Sequence, residues 1–169
     1  MKLFFLLIAQ MALVFEMQAQ AVSDTTHTNK KYTAIPSVKL VKTDGTNVIF
    51  RNLLHKTKPT VVLLFSPECD HCQQQTQEIV SHINELNNIN FILVSNKPVA
   101  MLKEFAKKYG TNKCKNILMA QDAGNQLSRY YDVGGYPSML VLNKSGVLVD
   151  RYITSIVNKS AILFSVKKN

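Results

Sequence analysis

An apolar run, Val61-Val62-Leu63-Leu64-Phe65, breaks at Ser66-Pro67-Glu68 and is followed at once by Cys69-Asp70-His71-Cys72 and a helical pattern. A short, wholly apolar run bounded by a turn reads as a strand buried on both faces. The order is therefore buried strand, tight turn, pair of cysteines, helix. Two cysteines separated by two residues at a helix start can close a small disulfide ring. The free N–H groups and the positive end of the helix dipole stabilise a thiolate at the first of them. The thiolate is the form that attacks disulfides.

The two cysteines are not equivalent. Thr76, Ile79, Ile83 and Leu86 follow at helical spacing, and Cys72 falls on the same stripe. Cys72 is expected to point inward and Cys69 to sit at the exposed tip. An exposed attacker and a sheltered resolving partner suit reversible dithiol chemistry. Structural zinc usually takes four Cys or His ligands, often as two such pairs, and no second pair exists. The histidine follows the first cysteine rather than the second, which excludes the Cys-x-x-Cys-His haem attachment motif.

The beginning of the chain bears on compartment. Lys2 precedes an apolar run from Leu3 to Phe15 that Glu16 closes, and Ala19-Gln20-Ala21 offers a small-residue cleavage site. These 13 residues fall short of the ~20 that span a bilayer, so residues 1–21 read as a secretory signal peptide. The mature protein is then expected to be exported, to the periplasm or beyond, without a membrane span. Disulfides persist in such compartments. The formal charge is +9, and removing Lys2 and Glu16 with the signal leaves it unchanged. The lysines are scattered, with no basic stripe of interleaved aromatics, which argues against a nucleic-acid partner.

Residues 22–34 are small and polar and read as a flexible tether; the remaining 135 residues suit one domain. Within it, Thr43-Asp44-Gly45-Thr46 between apolar alternations marks a hairpin over Val38–Phe50. Arg51–Lys56 reads as a helical turn and Phe91–Val94 as a second buried strand. Pro98 and Gly110 bracket a helix carrying Leu102, Phe105 and Tyr109. Ile117–Met119 reads as extended, Asp122–Asp132 as a helix, and Ser138–Leu142 with Val147–Arg151 as a hairpin through Asn143-Lys144-Ser145-Gly146. Ile156–Val166 reads as a closing helix. Strands alternating with helices and ending in a hairpin give an α/β fold, a central mixed sheet with helices on both faces.

With these features in place the chain resembles thioredoxin-like proteins, specifically the exported TlpA/ResA-like thiol–disulfide oxidoreductases. The resemblance is carried by Cys69-Asp70-His71-Cys72 after a buried strand, the N-terminal β-hairpin extension at Val38–Phe50, the segment Tyr131-Asp132-Val133-Gly134-Gly135-Tyr136-Pro137, and the closing hairpin with Lys144-Ser145-Gly146. It implies a thioredoxin-like fold from residue 35 to 169. It implies that Pro137 is a cis-proline facing the cysteines, leaving the backbone of Tyr136 to pair with an extended substrate, with Pro67 beside it. It also implies protein thiols and disulfides as substrates, a redox partner protein, a monomer, and no cofactor or metal beyond the redox-active Cys69–Cys72 disulfide. The catalytic set would be Cys69, Cys72, His71 and Pro137.

The chain departs from the family pattern in four places. Pro67-Glu68 stands where a tryptophan is usual, Leu63 where thioredoxin itself has a buried acid, Gln75 where TlpA/ResA-like proteins commonly carry glutamate, and Gln77 where thioredoxins have a helix-kinking proline. Glu68 and Glu78 are weak substitutes as a proton acceptor for Cys72. His71 resembles the histidine of DsbA-type oxidants and is expected to favour the thiolate and raise the reduction potential. Cys114, between two lysines, leaves an odd count and is read as a lone thiol. Two other functions fit the same thiols. One is a copper-binding module, since paired thiolates suit Cu(I); it lacks an obvious third ligand. The other is a thioredoxin-like peroxidase, which lacks the threonine-rich cysteine loop.

Overall fold

The computed structural model describes residues 32–168. The proposed signal peptide and most of the proposed tether lie outside the described residues. Thirteen short elements build one mixed sheet with helices against both faces. Its strands are β1 (Lys39–Lys42), β2 (Asn47–Ile49), β3 (Thr60–Leu64), β4 (Asn90–Ser95), β5 (Ile117–Gln121), β6 (Ser138–Leu142) and β7 (Leu148–Ile153), in the spatial order β2-β1-β5-β4-β3-β6-β7. The helices are α1 (Asp70–Ser81), α2 (Val99–Tyr109), α3 (Gln126–Tyr130) and α4 (Lys159–Ser165), with 3-10 turns at Phe50–Leu53 and Thr111–Lys113.

The central strand β3 pairs parallel with β4 and antiparallel with β6, and β4 pairs parallel with β5. All five residues of β3 are buried, as a strand covered on both faces requires. Alternate side chains then serve two cores. Val61, Leu63, Phe91, Leu93, Met139 and Val141 face α1, α2 and α4. Val62, Leu64, Ile92, Val94, Leu140 and Leu142 face α3 and the N-terminal segment. Leu63 lies in the first of these cores at 0% exposure, so the place of a buried acid is taken by packing.

The predicted hairpin over Val38–Phe50 forms, and it is part of the main sheet: β1 pairs antiparallel with β5 as well as with β2. Three boundaries need correction. The domain begins before residue 35. Tyr32 is only 3% exposed, its ring lies 5.5 Å from that of Tyr131, and Tyr130 donates a 2.6 Å hydrogen bond to the Ala34 carbonyl. These aromatic contacts tie down residues 32–34 of the expected tether.

The expected helix Asp122–Asp132 shrinks to Gln126–Tyr130. Asn125 is left-handed at φ 50°, and the Asp122 carboxylate accepts from the Leu127 N–H at 2.8 Å, so a turn occupies the first positions. The closing helix starts at Lys159 rather than Ile156, where the Asn158 side chain caps it by accepting from the Ala161 N–H at 2.9 Å.

Candidate active site

Strand β3 ends at Leu64, and Phe65 N–H still pairs with the Val94 carbonyl at 3.0 Å, holding the chain to the sheet up to the turn. Ser66-Pro67-Glu68 then turns the backbone, with Cys69 N–H donating to the Ser66 carbonyl at 3.1 Å. Cys69 becomes the N-cap of α1 in extended conformation, and its sulfur accepts from the backbone N–H of Cys72 at 3.3 Å. A sulfur in that place receives a donor the helix would otherwise leave unpaired.

Cys69 is half-buried and Cys72 fully buried. Burial pushes the Cys72 thiol up to about 12, and its hydrogen bond with Cys69 pushes the same way. All three cysteines are free thiols.

The second wall comes from the segment before β6. The Tyr136–Pro137 peptide is cis. The Tyr136 carbonyl lies 4.0 Å from the Cys69 sulfur and can accept from its S–H. Tyr136 is fixed at its far end, where its hydroxyl donates to Asn125 Oδ1 at 3.3 Å. Gly135 allows the close pass: a Cβ there would collide with the Thr154 side chain. Cys69, Cys72, Tyr136 and Pro137 therefore meet at one end of the sheet. His71 is exposed on the first turn of α1.

The carboxylates weighed as proton acceptors are engaged elsewhere. Glu68 forms an ion pair with Lys97. Glu78 Oε1 accepts from the Lys159 N–H at 3.0 Å and lies 3.5 Å from His82 Nδ1. Gln75 is buried, and both ends of its amide are used on one residue: Oε1 accepts from Val157 N–H at 2.6 Å and Nε2 donates to the Val157 carbonyl at 3.0 Å. It bolts the segment after β7 to the cysteine helix. Gln73 makes a second tie, donating to the Pro67 carbonyl at 3.0 Å while its Oε1 accepts from the Tyr109 hydroxyl at 2.7 Å.

None of these ties was read from sequence. Gln73, Gln74 and Gln75 are identical letters, and only the helical phase relative to Cys72 distinguishes the buried one. Cys114 is half-buried, donates to the Gly110 carbonyl at 3.6 Å, and has its pKa raised by burial. Among the described residues no group of three or more His, Cys, Asp or Glu converges as a metal site, and no helix is long and apolar enough to cross a membrane.

Residues 32–151 match the model of the AhpC/TSA family. Among solved structures, the chain is similar to Mycobacterium tuberculosis DsbF, determined in mixed oxidised and reduced forms (18% identity, 80% of this chain and 100% of that one, TM-score 0.66). It is similar to a secreted Mycobacterium tuberculosis disulfide oxidoreductase homologous to Escherichia coli DsbE (16% identity, 78% and 94% covered, TM-score 0.61). It is also similar to the peroxidoxin BcpB of Mycobacterium tuberculosis (13% identity, 82% and 94% covered, TM-score 0.66). At these identities the likeness establishes a shared thioredoxin-like fold. No curated protein matches the chain.

Proposed function

The chain belongs to the AhpC/TSA family within the thioredoxin-like superfamily, and on that premise we propose that it is an exported thiol–disulfide oxidoreductase of the TlpA/ResA-like kind, acting on cysteines of other proteins. The observation that carries this reading is the asymmetry of the cysteine pair. Cys69 is reachable and its sulfur accepts a helix N–H, while Cys72 is buried and held as a thiol.

The Cys69 thiolate attacks one sulfur of a substrate disulfide. That S–S bond breaks, a Cys69–substrate S–S bond forms, and the second substrate sulfur leaves as a thiolate that takes up a proton. Cys72 then gives up its proton and attacks the Cys69 sulfur. The remaining substrate thiolate departs, and the protein is left with a Cys69–Cys72 disulfide. Two electrons have passed to the substrate; the reverse sequence oxidises a substrate dithiol. A redox partner protein resets the pair. The Tyr136 backbone beside Cys69 receives the extended substrate. Export is supported by the apolar Leu3–Phe15 run and Ala19-Gln20-Ala21, and by likeness to a secreted disulfide oxidoreductase.

The test is catalysed insulin reduction by dithiothreitol, run beside hydroperoxide consumption and Cu(I) titration. Acceleration of insulin reduction that Cys69→Ser abolishes is expected. Hydroperoxide turnover without insulin reduction would favour the peroxidase, and stoichiometric Cu(I) binding without either activity the copper module.

A further inference from the structure

Strand β7 ends at Ile153, which lies opposite Ser138, the residue after Pro137. The next residue, Thr154, is left-handed at φ 52°, a conformation that β-branched residues rarely adopt. The Ile153 carbonyl holds this turn, accepting from the Thr154 hydroxyl at 2.8 Å and from the Ser155 hydroxyl at 3.1 Å. The turn lays the Thr154 methyl on the backbone of Gly135, in the space that a β-carbon there would need. Among the described residues, and apart from the chain neighbours of Gly135, only Thr154 comes within 4 Å of that position. Gly135 is held again through its carbonyl, which accepts from the Ser138 hydroxyl at 2.7 Å.

The other end of the segment is tied to the cysteine helix. Val157 is buried, and both its backbone groups are bonded to the Gln75 amide. Gln75 lies one turn after Cys72 on α1. Residues 154–157 thus run as a strut from the loop that carries Tyr136 to the helix that Cys69 caps.

A strained residue that its surroundings hold in place is a reason to look for a role at the site. From these two anchor points we infer that Thr154 is a positioning residue for disulfide exchange with polypeptides. Its methyl braces Gly135, and so keeps the neighbouring Tyr136 carbonyl in its place 4.0 Å from the Cys69 sulfur. The inference rests on the oxidoreductase reading, in which the Tyr136 backbone receives the substrate chain. A substrate with a backbone depends on that placement. A small disulfide without one needs only the Cys69 sulfur.

The probes are a symmetric disulfide of a cysteine-centred peptide and hydroxyethyl disulfide, which has no backbone. Reduced Cys72→Ser protein attacks each. A Cys69–probe S–S bond forms, the probe's own S–S bond breaks, and one thiol is released, timed by mass spectrometry. Two substitutions are added singly to that background. Thr154→Ser removes the methyl and keeps the hydroxyl; Thr154→Gly removes both and suits the left-handed backbone. Each should lower the ratio of peptide rate to hydroxyethyl disulfide rate about tenfold. The urea midpoint of the Thr154→Gly protein should not fall, which separates lost positioning from lost stability. Adding Gly135→Ala to Thr154→Gly puts a β-carbon back into the same space and should return the ratio to within about threefold of its starting value.

A ratio that both single substitutions leave unchanged would overturn the positioning role and leave the oxidoreductase standing. So would a ratio that stays low in the Thr154→Gly, Gly135→Ala protein, or one that falls only together with the urea midpoint. Absence of reaction with either disulfide before any change at Thr154 would overturn the oxidoreductase reading and the positioning role with it.

Discussion

The backbone N–H of Cys72 points at the Cys69 sulfur across 3.3 Å, while the Cys72 side chain itself is wholly buried. One residue thus supplies the donor that steadies the attacker and the thiol that waits behind it. The arrangement follows from Cys69 being the N-cap and Cys72 lying three residues on, where a helix presents an N–H that a cap side chain can reach.

Burial of Cys72 has a cost that appears with pH. Its thiol is raised from 9.0 to about 12, burial being the main cause. A raised group contributes its full stability below the unfolded value and loses it as pH climbs toward the folded one. Between pH 9 and about 12 the unfolded chain releases this proton while the folded dithiol form keeps it, so stability falls with rising pH. Urea unfolding at about pH 8 and about pH 10 should show the reduced wild type losing about 1.4 kcal/mol more than reduced Cys72→Ser. Parallel losses would show that Cys72 titrates normally.

Gln75→Ala strips Val157 of both its backbone partners in a buried place. Two unsatisfied groups at ~1–3 kcal/mol each predict a loss of about 2 kcal/mol or more. Urea unfolding of the oxidised variant is the measurement, and a loss below about 0.5 kcal/mol would remove the clamp from the account.

The same residue shows what could and could not be read in advance. The strand–turn–cysteine–helix order, the sheet with helices on both faces and the inward turn of Cys72 were legible, because apolar period and turn residues report burial directly. Tyr32 was not, because nothing local marks a lone tyrosine in a polar segment as packed on Tyr130 and Tyr131. Gln75 looked like the loss of an acid. In place it serves as donor and acceptor at once, which an ionised carboxylate cannot do. Pairings across 82 positions of chain, as between Gln75 and Val157, leave no periodic trace.

Cys114 is expected to be dispensable. Its thiol is raised by burial and bonded to Gly110, 42 positions beyond Cys72. Cys114→Ser should keep insulin reduction within about twofold of wild type. A fall beyond about tenfold, roughly 1.4 kcal/mol of transition-state stabilisation, would reveal a resolving role.

His71 stands exposed on the first turn of α1, two residues after the attacking cysteine. If its ring favours the thiolate, it favours the reduced state, because the disulfide carries no charge to stabilise. His71→Pro should then lower the reduction potential by on the order of 10–30 mV in a glutathione redox titration. An unchanged or higher potential would leave the helix terminus as the source of activation.

The division of labour between the two cysteines is tested most directly by covalent trapping. Reduced wild type, Cys69→Ser and Cys72→Ser are each mixed with insulin and resolved without reductant. The account predicts a disulfide-linked adduct that accumulates only in Cys72→Ser, with the linkage mapped to Cys69. An adduct that accumulates in Cys69→Ser through Cys72, and not in Cys72→Ser, would contradict it.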